Sequence, residues 1–349
     1  MSAAFTKALD IAERLGDPEY QLRALSGLQY YHTWIAQYRA ALSFAQRFYD
    51  LAIKGSDPYN RLFGERTLGV TKHYLGDLVS ARHHLEHALI NYSAADPRLD
   101  FIRFRSDLGV SARIFLARVL WLLGFSDQAW RVAEESIAEA RATSNATSIC
   151  LALAVAACPV ALWIGNLGAA AGYVRMLLDH AREDSLPLWS AYGAAFERVV
   201  LIKEGGHDET TALNFGFQSL NALTELAEAF ARAGRTVEGL ASVEAGIGLS
   251  DGAWATPELL RLKGELLLLQ SGSAAAEAED LFRQALDGAR RQEALSWELR
   301  AATSLARLVR NQGRPSDAMA VLQPVYDRFT EGFDTADLQA AKRLIDALS

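Results

Sequence analysis

Cysteine, proline and methionine are all scarce in this chain: its 349 residues include 2 Cys, 8 Pro and 3 Met. Cys150 and Cys158 share one uncharged stretch. On a helix rising ~1.5 Å per residue their Cα atoms lie about 12 Å apart, beyond disulfide reach. A disulfide-stapled scaffold is excluded, and the two thiols read as small core residues of a reducing compartment. Positive charge is also short. Lys and Arg number 35 against 42 Asp and Glu, a net charge of −7, which argues against direct nucleic-acid binding. Met1–Asp10 has no secretory h-region and no segment is read as a membrane span, so a cytoplasmic place is expected. No G-x-x-x-x-G-K-[ST] phosphate loop, nucleophile elbow or Cys–His pairing occurs. The chain therefore reads as no enzyme, with no cofactor and no metal.

What is present is helical and repeated. In Tyr74–Leu89 (YLGDLVSARHHLEHAL), Gly76-Asp77 separate two apolar-periodic segments. Gly76 supplies the positive φ of a helix end, and Asp77 can accept from the next helix's first amides. Leu78, Ala81, Leu85, Ala88 and Leu89 share one helical face. Equivalent turns fall at Ala36, Gly76, Gly124, Gly165 and Gly205, spaced by 40, 48, 41 and 40 residues. Gly234 follows after only 29, which marks an irregular repeat near 205–217, either a bend or seam or a simple deletion that the superhelix absorbs. From Ser273 to Gly313 the step is 40 again, and Thr335–Leu348 reads as a capping helix with Asp334 as its N-cap. No strand-period alternation competes. The expectation is one all-α domain over residues 1–349, opening on a half-unit at Phe5–Leu15 that reads as the tail of something longer.

Small residues recur seven before the turn glycines (Gly69, Ala117, Ala227, Ala306) and five after them (Ala81, Ala129, Ala318), with an apolar residue at nine (Leu85, Val243, Leu322). This resembles the tetratricopeptide pattern, with a period near 40 rather than about 34. The resemblance implies a right-handed α-solenoid of helix pairs. Arg290–Leu348, with Leu75–Leu89 and Leu120–Ala129 (LWLLGFSDQA), is similar to the C-terminal repeats of bacterial predicted ATPases, adenylate cyclases and winged-helix transcriptional regulators. Ser106-Asp107-Leu108-Gly109-Val110 departs from the Gln-Asp-Pro-Gly-Val that the family carries there. The likeness implies a non-catalytic binding or sensing module in signal transduction or transcription regulation, taking a protein segment or small effector in a concave groove. A self-associating scaffold without effector is the alternative, and an enzyme with an unrecognised groove site a remote one.

In such arrays the first helix of each pair lines the groove, at positions 13, 10, 6 and 3 before the turn. These positions select Arg23, Tyr30, Arg66, His73, Arg118 and Trp121, with Arg103 projecting from the long loop. Arg and aromatic side chains on one lining suit peptide or acidic-partner recognition. His83 and His87, four apart, have metal-ligand spacing but no third ligand, so they read as a polar face. Trp163, Trp189, Trp254 and Trp297 read as packing between units.

Overall fold

The computed structural model describes residues 2–92, 104, 107–206, 220–250 and 252–349. Of the 17 helices within them, fourteen pack as seven consecutive pairs, and no strand occurs among the described residues. After α1 (Ser2–Leu15) come α2 (Pro18–Trp34) with α3 (Tyr38–Ala52), and α4 (Pro58–Leu75) with α5 (Leu78–Ile90). Next are α6 (Leu108–Leu122) with α7 (Ser126–Ala142), α8 (Ala146–Ile164) with α9 (Leu167–Glu183), and then α10 (Pro187–Lys203). Beyond the undescribed stretch lie α11 (Leu220–Arg232) with α12 (Thr236–Ser250), and α13 (Thr256–Gln270) with α14 (Ala275–Arg291). The last pair is α15 (Leu295–Asn311) with α16 (Pro315–Tyr326), closed by α17 (Ala336–Asp346). Most of the irregular repeat near 205–217 lies outside the described residues.

Local chemistry sets these boundaries. Asp17 and Asp57 each precede a proline at the first helical position, and their carboxylates accept from the next free amides. Gly76 ends α4 at φ +79° and Gly165 ends α8 at φ +86°, conformations that favour glycine. Within a pair the small residues let the helices approach. A Cβ at Gly69 would fall 2.6 Å from Leu85, and Ala81 and Leu85 are fully buried. Two expectations need correction. Asp334 does not cap α17: Thr335 takes that position, and the nearby Asp337 pairs with Arg300 at 2.6 Å. And α8, against the expectation that no segment is long and apolar enough to cross a membrane, is 19 residues long, uncharged and apolar enough to do so. Its composition has a core explanation, because 83% of the apolar window is buried among neighbouring helices.

Both cysteines lie in α8, buried and unbridged. Burial lifts Cys150 to about 11 and Cys158 higher still, so both remain protonated thiols. Pro159 interrupts the same helix. Its ring nitrogen cannot donate to the Val155 carbonyl four residues back, and the turn before it, Leu153–Ala157, widens to π geometry.

The coil then meets itself. The final turn of a helix leaves carbonyls without helical partners, and α4, α6 and α8 find theirs on the C-terminal half. The Tyr74 carbonyl accepts from the Trp254 amide (3.2 Å) and the Trp163 carbonyl from Arg300 Nη2 (3.2 Å), while the Trp121 carbonyl, which also takes the Gly124 amide (3.0 Å), accepts from Ser296 Oγ (2.5 Å). The turn glycines of these three pairs form the contact edge. A Cβ at Gly76, Gly124 or Gly165 would lie 2.7, 2.8 or 2.7 Å from Gln292, Leu295 or Ala336. Gly205, Gly234 and Gly313 have nothing within 4 Å of that position.

Candidate functional site: the inner lining

Arg118 sits at the centre of the lining, fully buried. Its Nη1 donates to the Val155 carbonyl (3.0 Å), the group that Pro159 leaves without its helical donor. Its Nη2 donates to Asn221 Oδ1 (2.8 Å) and its Nε to His73 Nε2 (3.2 Å). The guanidinium also lies over two indoles, 5.0 Å from the centre of Trp163 and 4.5 Å from that of Trp254. These direct partners are all neutral. Burial pulls Arg118 down to about 10, against the pull of Tyr74, Tyr192 and Glu225, so the cation persists at neutral pH. Because Arg118 can only donate, His73 must carry its proton on Nδ1, and that nitrogen has no hydrogen-bond partner among the described residues. Burial, with Arg118 beside it, holds the imidazole neutral, well below its ordinary range.

Four indoles join the two halves of the chain. Trp121 and Trp163 come from α6 and α8, Trp254 from the loop before α13, and Trp297 from α15. The Trp121 ring lies 4.6 Å from Trp163 and 4.7 Å from Trp297, and Trp254 stacks near Trp297 at 6.3 Å. All four are at most 2% exposed, so they are core, as expected for three of them. The Nε1 groups of Trp254 and Trp297 find no acceptor among the described residues. Trp189, the fourth expected core indole, stacks on Tyr192 away from this cluster.

A buried charge network lies beside the indoles. Arg300 donates to Asp337 and Glu258 and crosses the faces of Trp121 and Trp297. Glu225 accepts from Trp163 Nε1 at 2.6 Å, and Lys203 reaches Glu228 at 2.6 Å. Burial raises Glu225, with Lys203 opposing. In Glu228 burial is outweighed by Lys203, Arg300 and Arg232, which hold the carboxyl well below its ordinary range.

The remaining selected positions divide by depth. Arg66 is buried, its Nε and Nη2 both on Ser111 Oγ, and burial lowers it to about 10. His73, Arg118 and Trp121 are buried with it, so the open surface expected at these positions is closed. Over His73, Arg118 and Trp121 the cover is this chain's own C-terminal half, supplied by residues far away in sequence, whereas Arg66 is closed in by its neighbours Phe63 and Ser111. Arg23 and Tyr30, on the inner face of α2, stay exposed. Arg23 pairs with Glu19 at 3.1 Å and lies over Tyr20, while Tyr30, 56% exposed, stacks on Trp34, 44% exposed, at 5.9 Å. Trp34 escaped the position-based selection, although it stands one helical turn beyond Tyr30. Arg103 lies outside the described residues.

Two of the three histidines of α5, His84 and His87, turn onto a carboxylate, and His83 lies beside them in ring contact. Glu65 is held by His84 Nδ1 (2.5 Å), by the Tyr49 hydroxyl (2.9 Å) and by His87 Nδ1 (3.5 Å). Burial pushes Glu65 up, but the His84 and Tyr49 hydrogen bonds outweigh it and leave it below its ordinary value. Among the described residues no group of three or more His, Cys, Asp or Glu is arranged to hold a metal ion. A shallow cleft of about 420 Å³ runs along the contact edge, lined by Gly76, Asp77, Gly252, Thr256, Arg291 and Gln292 among others.

No family model matches the chain, and no curated protein matches its sequence. Among solved structures, the chain is similar to a Rap protein complexed with competence and sporulation factor, at 12% identity and a TM-score of 0.46. That likeness covers 95% of this chain and 76% of the other. A second similarity is to yeast Tom70, at 10% identity and a TM-score of 0.35, covering 99% and 95%.

Proposed function

We propose that this chain is a non-catalytic recognition module, one helical-repeat domain that takes a protein or peptide segment against its inner lining. The observation that carries this is the exposed Arg23–Tyr30–Trp34 face of α2, which offers a cation and two stacked rings on a rigid helix. Such residues anchor interfaces because they bury large area with few rotatable bonds. The similarity of Arg290–Leu348 to bacterial regulators supports a place in signal transduction or transcription regulation in the cytoplasm. A small effector fits the same reading where the ligand is compact.

The test measures thermal stability of the purified chain against peptide pools and metabolites, together with capture of partners from a bacterial lysate. A ligand at one hundred times its dissociation constant adds about 2.7 kcal/mol. The expected result is a shift or capture that Arg23→Ala with Tyr30→Ala abolishes while far-UV dichroism is unchanged. Retained capture by the double variant would overturn the placement on α2. A second reading, self-association, has its own observation: α1 leaves Ile11 and Leu15 exposed, the latter at 76%. It requires a sedimentation coefficient that rises with concentration and falls back when Leu15 is replaced by Ser.

A further inference from the structure

The residues of Gly252–Ala255 form a short non-helical loop between α12 and α13, and they are placed as a bound peptide would be. The Trp254 amide donates to the Tyr74 carbonyl (3.2 Å), and the Ala253 carbonyl accepts from Gln292 Nε2 (3.2 Å). The indole enters the inner lining between His73, stacked at 5.5 Å, Trp163 at 6.0 Å and the Arg118 guanidinium at 4.5 Å. Two of the residues that hold it, His73 and Arg118, occupy the positions a groove would use for recognition.

Two further observations concern how this contact is held. Its polar accounting is incomplete: the buried Trp254 Nε1, Trp297 Nε1 and His73 Nδ1 donors find no acceptor among the described residues, and an unmet donor carries a desolvation penalty. A separate contact, besides the Ser296–Trp121 and Arg300–Trp163 hydrogen bonds, clasps the C-terminal segment to α7. Helix α7 has Phe125 at its N-cap and no side-chain cap of its own. Its first amides, Asp127 and Gln128, donate to Glu331 Oε1 at 2.9 and 3.0 Å, and the Asp127 carboxylate accepts from the Gly332 amide at 3.3 Å. One carboxylate some two hundred residues away thus caps this helix.

We propose that Trp254 is an internal ligand: it fills, in cis, an aromatic-and-cation pocket of the lining in which a partner peptide's tryptophan seats once the Glu331 clasp opens. The inference rests on the recognition reading above and names the partner's chemistry, a segment with an exposed indole and small neighbours. An indole is the side chain that best matches a guanidinium with only neutral partners, since its face attracts the cation. A closed state that excludes the ligand lowers apparent affinity by the fraction of chain that is open, so loosening the clasp raises it.

The test uses the full chain and a fluorescein-labelled, end-capped peptide Gly-Ala-Trp-Ala-Thr, the sequence of Gly252–Thr256, read by anisotropy. The expected result is weak binding to the wild type and about tenfold tighter binding to Glu331→Ala, a variant that frees the clasp without touching the pocket. Trp254→Ala, which vacates the pocket, is expected to bind at least as tightly as Glu331→Ala. The Gly-Ala-Ala-Ala-Thr peptide is expected to bind none of them. Equal affinity of wild type and Glu331→Ala, or equal binding of the two peptides, would overturn the proposal. Should Trp254→Ala not fold, Glu331→Ala and the peptide pair decide alone. Arg23→Ala with Tyr30→Ala separates the two readings. Lost partner capture with no peptide binding anywhere retires the internal ligand only, while peptide binding with undiminished capture retires the α2 site only.

Discussion

His73 is neutral because it is buried and because Arg118 donates to it, and that neutrality makes stability depend on pH. In the unfolded chain the imidazole titrates near 6.5, whereas in the fold its pKa lies well below that. Between these values the unfolded state binds the extra proton, so stability is full above 6.5 and declines as pH falls. The expected decline is about 1.4 kcal/mol per pH unit for this one group. Urea midpoints at pH 5 and 7 check it: the difference between the two should be smaller in His73→Asn than in the wild type. An unchanged difference would locate the acid sensitivity elsewhere. Arg118 makes the complementary case. Arg118→Met strands the Asn221 and Val155 acceptors, with an expected loss of about 2–4 kcal/mol in chemical denaturation. Arg118→Lys should recover little of it, because an ammonium cannot reach three divergent acceptors in one plane.

At the scale of the helix, end groups decide who meets whom. Glu331 acts as the N-cap of α7, so Glu331→Ala is expected to cost about 1 kcal/mol, as capping residues do. Asp127→Ala should be less than additive with it, since both changes break the same clasp. Full additivity in a double-mutant cycle would mean that the two halves hold without this contact. The same logic explains α8. Pro159 costs the helix an internal hydrogen bond, and the freed Val155 carbonyl becomes an acceptor for a residue on α6. A local defect thereby fixes the most buried cation in the lining.

For the whole molecule, the turn glycines report closure. Gly165 and Gly313 both sit near φ +80°, so alanine at either carries a similar backbone penalty of about 1 kcal/mol. Only Gly165 also faces Ala336 across the contact edge. Gly165→Ala is therefore expected to destabilise by at least about 1 kcal/mol more than Gly313→Ala, the excess measuring overpacking between the two halves. Equal losses would show that the edge yields freely. Because the inner ends of α4, α6 and α8 are finished by residues of the C-terminal half, the coil is expected to unfold as one cooperative unit, unlike a repeat array whose pairs touch only their neighbours.

What could be read along the chain was local. Asp-Pro starts, turn glycines and small residues at helix crossings determined the helix pairs, because each acts within a few residues of itself. The same reasoning placed His73, Arg118 and Trp121 on one lining, since a helical face is a matter of spacing. Their burial was decided only in three dimensions. The partners that cover them, Asn221, Trp254, Ser296 and Arg300, lie far along the sequence, and they arrive only because small rotations between successive pairs add up to a closed turn. Those rotations come from side-chain packing at every pair interface, and no single motif encodes their sum. Tyr30 and Trp34 keep 56% and 44% of their surface exposed, and the contacts that Asn221, Trp254, Ser296 and Arg300 make with α4, α6 and α8 do not include this stacked pair of α2.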